Sequence, residues 1–460
     1  MSSPRCWRWV FMGFLLWCLG ELPLAAAGPP RVINLKEALQ LAFQANPQLK
    51  LGRLEEQIAG DEVVRARSGF LPQVKAQVGH TILDDPTKII ITKGGGNMGG
   101  VSIPETAVAM TNRNYWSSQV SLEQTIFDFW ATPARYQAAV LGKNATRLDT
   151  AQIRDNVFLL VCQGYFRVLR AEKLVSVAEQ EVAQLKDHLR IARDFYDFGV
   201  TTYNDVLQAE VALADAEQRL ITAKNDVITF KSNLNKIMGQ PIDQPLNLAE
   251  EKDLAIPAWA LEEASELALK QRADLQAAQQ RLEQGKSQLT QARAGYFPRL
   301  YAQAGHTFQK NAVWLHEHQY FAIFGLQWSL FSGLDTRAQV SQARERLEQL
   351  QVRRQDLADQ VRLEVQNAYL ALKETAERLR VTEKAVAQGE ENLRLNEERY
   401  REKVGTATDV IDAQTLLTRT RVNYFNARYD HQMAKAQMLW AVGQINQLLS
   451  QENRRHGQLQ

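Results

Sequence analysis

Between residues 115 and 126 the chain alternates. Trp116, Val120, Leu122 and Ile126, with Ser118 and Gln124 between them, fall on even positions; Tyr115, Ser117, Gln119, Ser121, Glu123 and Thr125 fall on odd ones. A period of two puts the first set on one face of a β-strand and the polar set on the other. The pattern returns near residue 320, where Tyr320, Ala322, Phe324, Leu326, Trp328 and Leu330 share one parity. Each stretch has a partner behind it, which predicts two β-hairpins: strands 73–83 and 114–128, then 299–309 and 319–331. Elsewhere the apolar spacing is helical. One helical stretch runs from Leu35 to Leu71 and another from Leu261 to Phe297, stopped by Pro72 and Pro298 because proline cannot continue a helix. A far longer one runs from Pro133, read as a first helical position, to Phe198, and its counterpart from Thr336 to Glu402. The first covers 198 − 133 + 1 = 66 residues, or roughly 100 Å at 1.5 Å per residue. Return helices follow at 205–238 and 409–449.

The two halves repeat one another. ARSGFLPQVKAQVGHT (66–81) reappears as ARAGYFPRLYAQAGHT (292–307), with nine of sixteen residues identical and a shift of 292 − 66 = 226. Upstream, Leu35, Glu37, Ala38 and Leu41 meet Leu261, Glu263, Ala264 and Leu267 at that shift. Beyond the first hairpin it becomes 204: Phe127 meets Phe331, Tyr165 meets Tyr369, and Asp205-Val206 meets Asp409-Val410. The difference, 226 − 204 = 22, is an insertion in copy one, where the Gly-rich KGGGNMGG (93–100) lies. The predicted organisation is therefore a first repeat over 28–238, a linker over 239–260, a second repeat over 261–450 and a short tail, 451–460.

Before residue 28, Arg5 and Arg8 precede an apolar run from Trp9 to Leu19, and Ala25-Ala26-Ala27 follows, as in a secretory signal peptide spanning 1–27. The run is too short to span about 30 Å of hydrocarbon. Cleavage removes Cys6 and Cys18 and leaves Cys162 without an intramolecular partner. Cys18 follows Leu16-Trp17 rather than the small residues that precede a lipidated cysteine, which argues against lipidation. No later segment reaches eighteen consecutive apolar residues, and a net charge of +2 gives no footprint for nucleic acid. An exported chain without a membrane helix is left with the periplasm, the exterior or an outer-membrane β-barrel.

The strands are about ten residues long, enough to cross a bilayer when tilted. Aromatics gather at their ends (Tyr115, Trp116, Phe127, Phe129, Trp130; Trp314, Tyr320, Trp328, Phe331), as interfacial girdles require. Four strands cannot close a barrel, and lipid does not tolerate an open edge. Three copies would supply twelve. The long helices ask for partners too, since their apolar stripes would otherwise stay wet. The competing reading is a soluble periplasmic coiled-coil adaptor or scaffold, for which an apolar sheet face between aromatic girdles has no use.

The duplication, the paired R-x-G-[FY]-x-P junctions, the turn signatures FGVTTYNDVLQA (198–209) and KVGTATDVIDAQ (403–414), and the link IMGQPIDQPLNL (237–248) together resemble the outer-membrane efflux protein family over essentially the whole mature chain. The resemblance implies an α+β membrane protein and a homotrimer, its four strands per protomer completing a twelve-stranded outer-membrane barrel. A long α-helical coiled-coil tunnel would continue the barrel across the periplasm of a Gram-negative cell. It further implies no catalysis and no cofactor. The implied partners are outer-membrane lipid, a periplasmic membrane-fusion adaptor and an inner-membrane transporter of the RND, ABC or MFS type, in efflux or type I secretion. The cargo is set by the pump.

In that family the helix turn of copy two closes the periplasmic end. Motif match places Asp409 and Asp412 where pore-facing carboxylate rings occur, and Tyr400 and Asp205 among the closing contacts. Three like charges at one level of a three-fold pore favour cations. Read as local chemistry alone, Asp409 and Asp205 N-cap their helices. Lys403 departs from the pattern, standing where copy one has Gly199; Gly405 stands where a well-known member has an arginine bridging to the copy-one aspartate. Lys403 or Arg401 is the candidate replacement latch. His316-Glu317-His318, with His306 nearby, invites a metal reading but is more simply read as surface polar residues of a hairpin tip. The 84–113 segment reads as an extracellular loop over the pore mouth, and no phosphate cradle is expected there because no Lys-Ser/Thr step follows its glycines.

Overall fold

The computed structural model describes residues 32–92, 96–98, 101–103, 106–250, 253–311 and 315–450. The expected signal peptide, the tail, Trp314 and part of the Gly-rich insertion lie outside them. The chain runs β1(Val32–Ile33), α1(Leu35–Ala45), α2(Pro47–Arg67), a 3₁₀ turn, β2(Gln73–Ile82), β3(Lys88–Thr92), β4(Gly96–Met98), β5(Val101–Ile103), β6(Thr106–Ala109), β7(Asn114–Phe127), α3(Ala131–Asp197) and α4(Tyr203–Met238). It continues with β8(Asn247–Leu248), α5(Leu261–Gln271), α6(Ala273–Ala294), β9(Arg299–Gln309), β10(His318–Gln327), α7(Asp335–Arg401), α8(Ala407–Ala441) and the short α9(Gln447–Ser450).

Where the alternation was read, the strands form, and the two hairpins merge. They make one antiparallel sheet in the order β10-β9-β7-β2, so β2 and β10 are its open edges. Its register aligns Val74, Leu122, Ala304 and Ala322 across all four strands, and beside them Ala76, Val120, His306 and Tyr320. This apolar face is bare: Phe324 is 86% exposed, Tyr320 82% and Val78 69%. The opposite face carries Gln77, Gln119 and Thr307 in one row and Gln73, Glu123 and Gln303 in another. There Glu123 takes Arg299 at 3.0 Å and Lys75 at 3.7 Å.

The expected first helix is two. Asn46 leaves helical geometry (ψ 128°) and its side-chain oxygen caps α2, with Pro47 opening the new helix. Copy two breaks at the same register, 272 − 46 = 226, without a proline: Arg272 has ψ 128° as well. Arg272 is 4% exposed, bonded to Asp274 at 2.6 Å and to Glu364, with its guanidinium 4.9 Å from the Trp440 ring. A buried cation that must meet two carboxylates and an indole holds the same bend. Pro133 lies third in α3, still within the turn whose N–H groups have no helical partner, while Asp128 accepts from the Thr132 backbone and hydroxyl. The second return helix stops at Ala441, followed by Gly443 at φ 81°, rather than continuing to 449.

Segment 84–113 is not a plain loop. Among its described residues β3 pairs with β6 and β4 with β5, and Lys88 and Ala109, the ends of the outer pair, delimit 109 − 88 + 1 = 22 positions, the size of the insertion. The duplication is also written in the backbone. Among the described residues, those with positive φ fall into four pairs at shift 204: Phe129 with Gly333, Trp130 with Leu334, Gly199 with Lys403, and Gly239 with Gly443. Side chains from both copies build the largest core cluster, around Leu39, Phe158, Tyr165, Phe166, Leu234 and Leu439, where α1, α3, α4 and α8 meet. Beyond it α3–α4 and α7–α8 extend as two antiparallel pairs toward the end farthest from the sheet. No helix among the described residues is long and apolar enough to cross a membrane.

Candidate gate at the helical tip

Both long helices end by the same device. After Asp197 the chain turns through Gly199 (φ 68°), whose N–H returns to the Tyr196 carbonyl at 2.8 Å. After Arg401 it turns through Lys403 (φ 64°), with N–H to the Tyr400 carbonyl at 3.1 Å. A side chain in this left-handed region costs about 1–2 kcal/mol relative to glycine, so Lys403 is held there by the turn around it. Its side chain is exposed and, among the described residues, makes no ion pair. Arg401 stays on its own helix, 3.8 Å from Glu397. Within one protomer neither of them reaches Asp205.

The N-cap positions of both returning helices are held by threonines, not aspartates, and only Thr406 makes a side-chain cap bond. Thr406 caps α8, accepting from the Asp409 backbone at 3.2 Å, and the Asp409 carboxylate accepts from the Thr406 N–H at 3.0 Å, closing a capping box. Those bonds hold the exposed Asp409 carboxyl below its usual value, aided by Arg399. Thr202 occupies the N-cap of α4; Asp205, in its first turn, accepts instead from the Thr201 hydroxyl. Asp412 sits one turn beyond Asp409 on α8, also exposed. The two tips are tied to one another by Thr408 donating to Gln208 at 3.0 Å.

Tyr400 lies on the other side of α7, inward. It is 5% exposed, packed with Leu393, Val410 and Leu417 of its own copy and with Ile191 and Phe195 of α3. Its ring lies 5.3 Å from that of His188 and 5.4 Å from that of Phe195. Its hydroxyl has no protein partner. Burial, with Asp205 adding to it, pushes the phenol above its ordinary value. The structure thus brings Tyr400 into the electrostatic reach of Asp205 without a bond between them, and leaves Asp409, Asp412 and Lys403 on the solvent side. Sequence reasoning missed His188 altogether. The signal was there: His188 interrupts the apolar stripe Val182, Leu185, Leu189, Ala192 with a titratable ring, as Glu181 does one heptad earlier.

At the far end, the histidine reading changes partners. His306 and His318, not His316 and His318, come together, with ring nitrogens 3.1 Å apart on the apolar sheet face. Among the described residues no group of three or more His, Cys, Asp or Glu is arranged to hold a metal. Aromatic rings do gather at both ends of the sheet. His80 packs on Trp116 at 4.7 Å near one end, and Phe129 stacks on Phe297 at 4.7 Å with Phe127 and Trp130 beside it at the other.

The chain matches the family model described as outer membrane efflux protein over residues 38–240 and 264–444. It is 23% identical over 431 residues to the outer membrane protein TolC of Vibrio cholerae, covering 90% of this chain and 91% of that one. It is 22% identical over 469 residues to the alkaline protease secretion protein AprF of Pseudomonas aeruginosa, covering 97% and 90%. Among solved structures, CusC superposes with a TM-score of 0.76 at 16% identity over 89% of this chain and 92% of that one. The outer membrane protein VceC from Vibrio cholerae gives 0.74 at 18% identity over 89% and 96%. The repeated helix–hairpin–helix unit, the two-faced sheet and these matches lead to one conclusion: the chain belongs to the outer membrane efflux protein family.

Proposed function

We propose that this outer-membrane channel works as one third of a closed duct, its sheet joining two others edge to edge into a twelve-stranded barrel and its helices lining a tunnel into the periplasm. One observation carries the reading. A four-stranded sheet with a bare apolar face, a polar face and two unpaired edges is continuous with helices roughly 100 Å long. In water such a sheet would aggregate through its edges; in lipid the edges must be paired. Pairing β10 of one copy with β2 of the next satisfies both conditions and puts the Glu123 ion pairs in the lumen. The soluble-scaffold alternative falls with the family assignment, and the family is one of transport channels rather than enzymes.

At the tip, Leu207, Val211 and Ile411 flank the Thr408–Gln208 tie in an open groove between α4 and α8, with Val211 63% exposed. We assign that groove to a periplasmic membrane-fusion adaptor, which would join the duct to an inner-membrane transporter of the RND, ABC or MFS type. Asp412, Asp409, Asp205, Tyr400 and Lys403 form the gate in this reading. Tyr400 acts by packing, and the exposed residues act across the seams between copies. The test is fractionation with unheated electrophoresis: outer-membrane trimers that dissociate on heating are expected, and a soluble periplasmic monomer overturns the assignment.

A further inference from the structure

Four unpaired polar atoms gather behind the tip. Gln184 Oε1, His188 Nε2, Tyr400 Oη and Gln414 Oε1 have no protein partner, and their residues line one cavity of about 240 Å³ between α3, α7 and α8. His188 is 6% exposed and Gln414 2%. Folded proteins leave few such groups unpaired, and those that persist ask for an explanation. The Gln414 amide nitrogen is already committed to Thr418 at 3.3 Å, so the oxygen is what remains. A neutral imidazole adds one more acceptor or one lone donor to this wall; an imidazolium must bring a full charge into it.

The charges around His188 are few. α3 itself supplies Asp187, α4 supplies Asp205, and α7 supplies Glu397, the Tyr400 phenol and Arg401, which is turned toward Glu397. α8 contributes Val410 and Gln414, neither titratable. None of these carboxylates hydrogen-bonds the ring.

We propose that His188 is a positioning residue of the periplasmic gate: its neutral ring, together with Phe195, holds Tyr400 of α7 against α3, and a proton on it loosens α7 and α8 from α3, so the tip opens as the periplasm acidifies. This rests on the reading of the tip as a gate. The direction follows from linkage. Burial holds the imidazole below its ordinary 6.5, against the opposing pull of Asp205. The loosened tip, with the ring in water, therefore binds more protons than the packed one. Packing is at full strength above pH 6.5 and weakens as pH falls below it, by up to about tenfold per pH unit per protomer until the packed-state value is reached. The Asp409 carboxyl, held below the ordinary 3.8 of an aspartate, titrates well outside that window. His431 does not: it is half-buried, and its partial burial and the neighbouring Lys435 hold it below its ordinary value against the pull of Asp253.

The experiment is open probability of the full-length protein in planar lipid bilayers from pH 7.5 to 5.5, for the parent, His188→Gln, His431→Gln and Tyr400→Ala. The parent should open about tenfold or more often at pH 5.5, His188→Gln should be flat across the range, and His431→Gln should respond like the parent. A parent without a pH response, or a His188→Gln that keeps it, overturns the role of His188. Unchanged conductance of Tyr400→Ala at pH 7.5 instead removes the gate reading itself. Histidine hydrogen–deuterium exchange on the parent gives an independent answer that needs no variant: a His188 midpoint below that of a free histidine is expected, and one at or above it overturns the proposal.

Discussion

Tyr400 allows ring and hydroxyl to be separated. The ring is in the tip's small core, 5% exposed, between His188 and Phe195; the hydroxyl has no protein partner. Tyr400→Phe removes only the second. Protein mutational data put an unpaired buried hydroxyl at about 1–3 kcal/mol of cost, so the phenylalanine variant should leave the tip as closed as the parent, or more so. Tyr400→Ala removes the ring. A buried aromatic replaced by alanine costs about 3–5 kcal/mol. The tip cluster is thin and close to solvent, which argues for the lower end. About 3 kcal/mol is roughly two decades in a closed–open equilibrium. Conductance and open probability at pH 7.5 measure both variants side by side. The refuting result is a Tyr400→Phe channel as open as Tyr400→Ala. That would mean the phenol oxygen bonds across a seam between copies and that Tyr400 is a latch rather than a packing element.

Three further outcomes follow from the same structure. Phe324→Arg, on the bare apolar face, should cost about 2–4 kcal/mol if that position lies near the bilayer midplane and lower the yield of heat-sensitive trimers, while Gln77→Arg on the opposite face should insert normally; equal tolerance would reverse or abolish the lipid-face assignment. Arg272→Met strands Asp274 and Glu364 at the bend between α5 and α6 and should destabilise by about 3–5 kcal/mol, read as a lower denaturation midpoint, with Glu364→Gln recovering part of it in the double variant. Lys403→Gly relieves a left-handed side chain worth about 1–2 kcal/mol, less the extra freedom glycine gains when unfolded. Stability should therefore rise slightly while conductance rises with the loss of the cross-seam lysine, and unchanged conductance would remove Lys403 from the gate.

What could be read in advance divides along physical lines. A period of two or 3.6 survives without knowing the neighbours, so β7, β10, α3 and α7 could be placed within a few residues. The breaks at Asn46 and Arg272 were harder for opposite reasons. Pro47 is a local signal that the length of the apolar pattern overshadowed. Arg272 has no local signal at all, because its bend is fixed by Glu364 and Trp440, 92 and 168 residues away along the chain (364 − 272 and 440 − 272). The 22-residue insertion could be counted but not folded, since the alternation in a Gly-rich segment is weak.

The gate shows the same division most clearly. Motif match found the residues that turn and cap, because turns and caps are local chemistry: Lys403, Asp409, Asp205. Local chemistry alone gave the N-cap of each return helix to its aspartate, whereas Thr202 and Thr406 hold those positions; in copy two Thr-x-x-Asp reads equally well as an aspartate cap or a capping box until the Thr406 hydroxyl is seen accepting from the Asp409 N–H. It could not find His188, because α3 and α7 meet only in three dimensions, and a histidine on an apolar stripe looks like an ordinary core residue until its neighbours prove to be acceptors. The asymmetry between the copies then takes on a specific meaning. Copy one turns on glycine at position 199 and presents Asp205 to a threonine; copy two turns on a strained lysine and buries a tyrosine against copy one. In the proposed gate the strained, inward-packed turn is the one assigned to move, so the proposal puts the motion in α7 and α8, with α3 as the surface they leave.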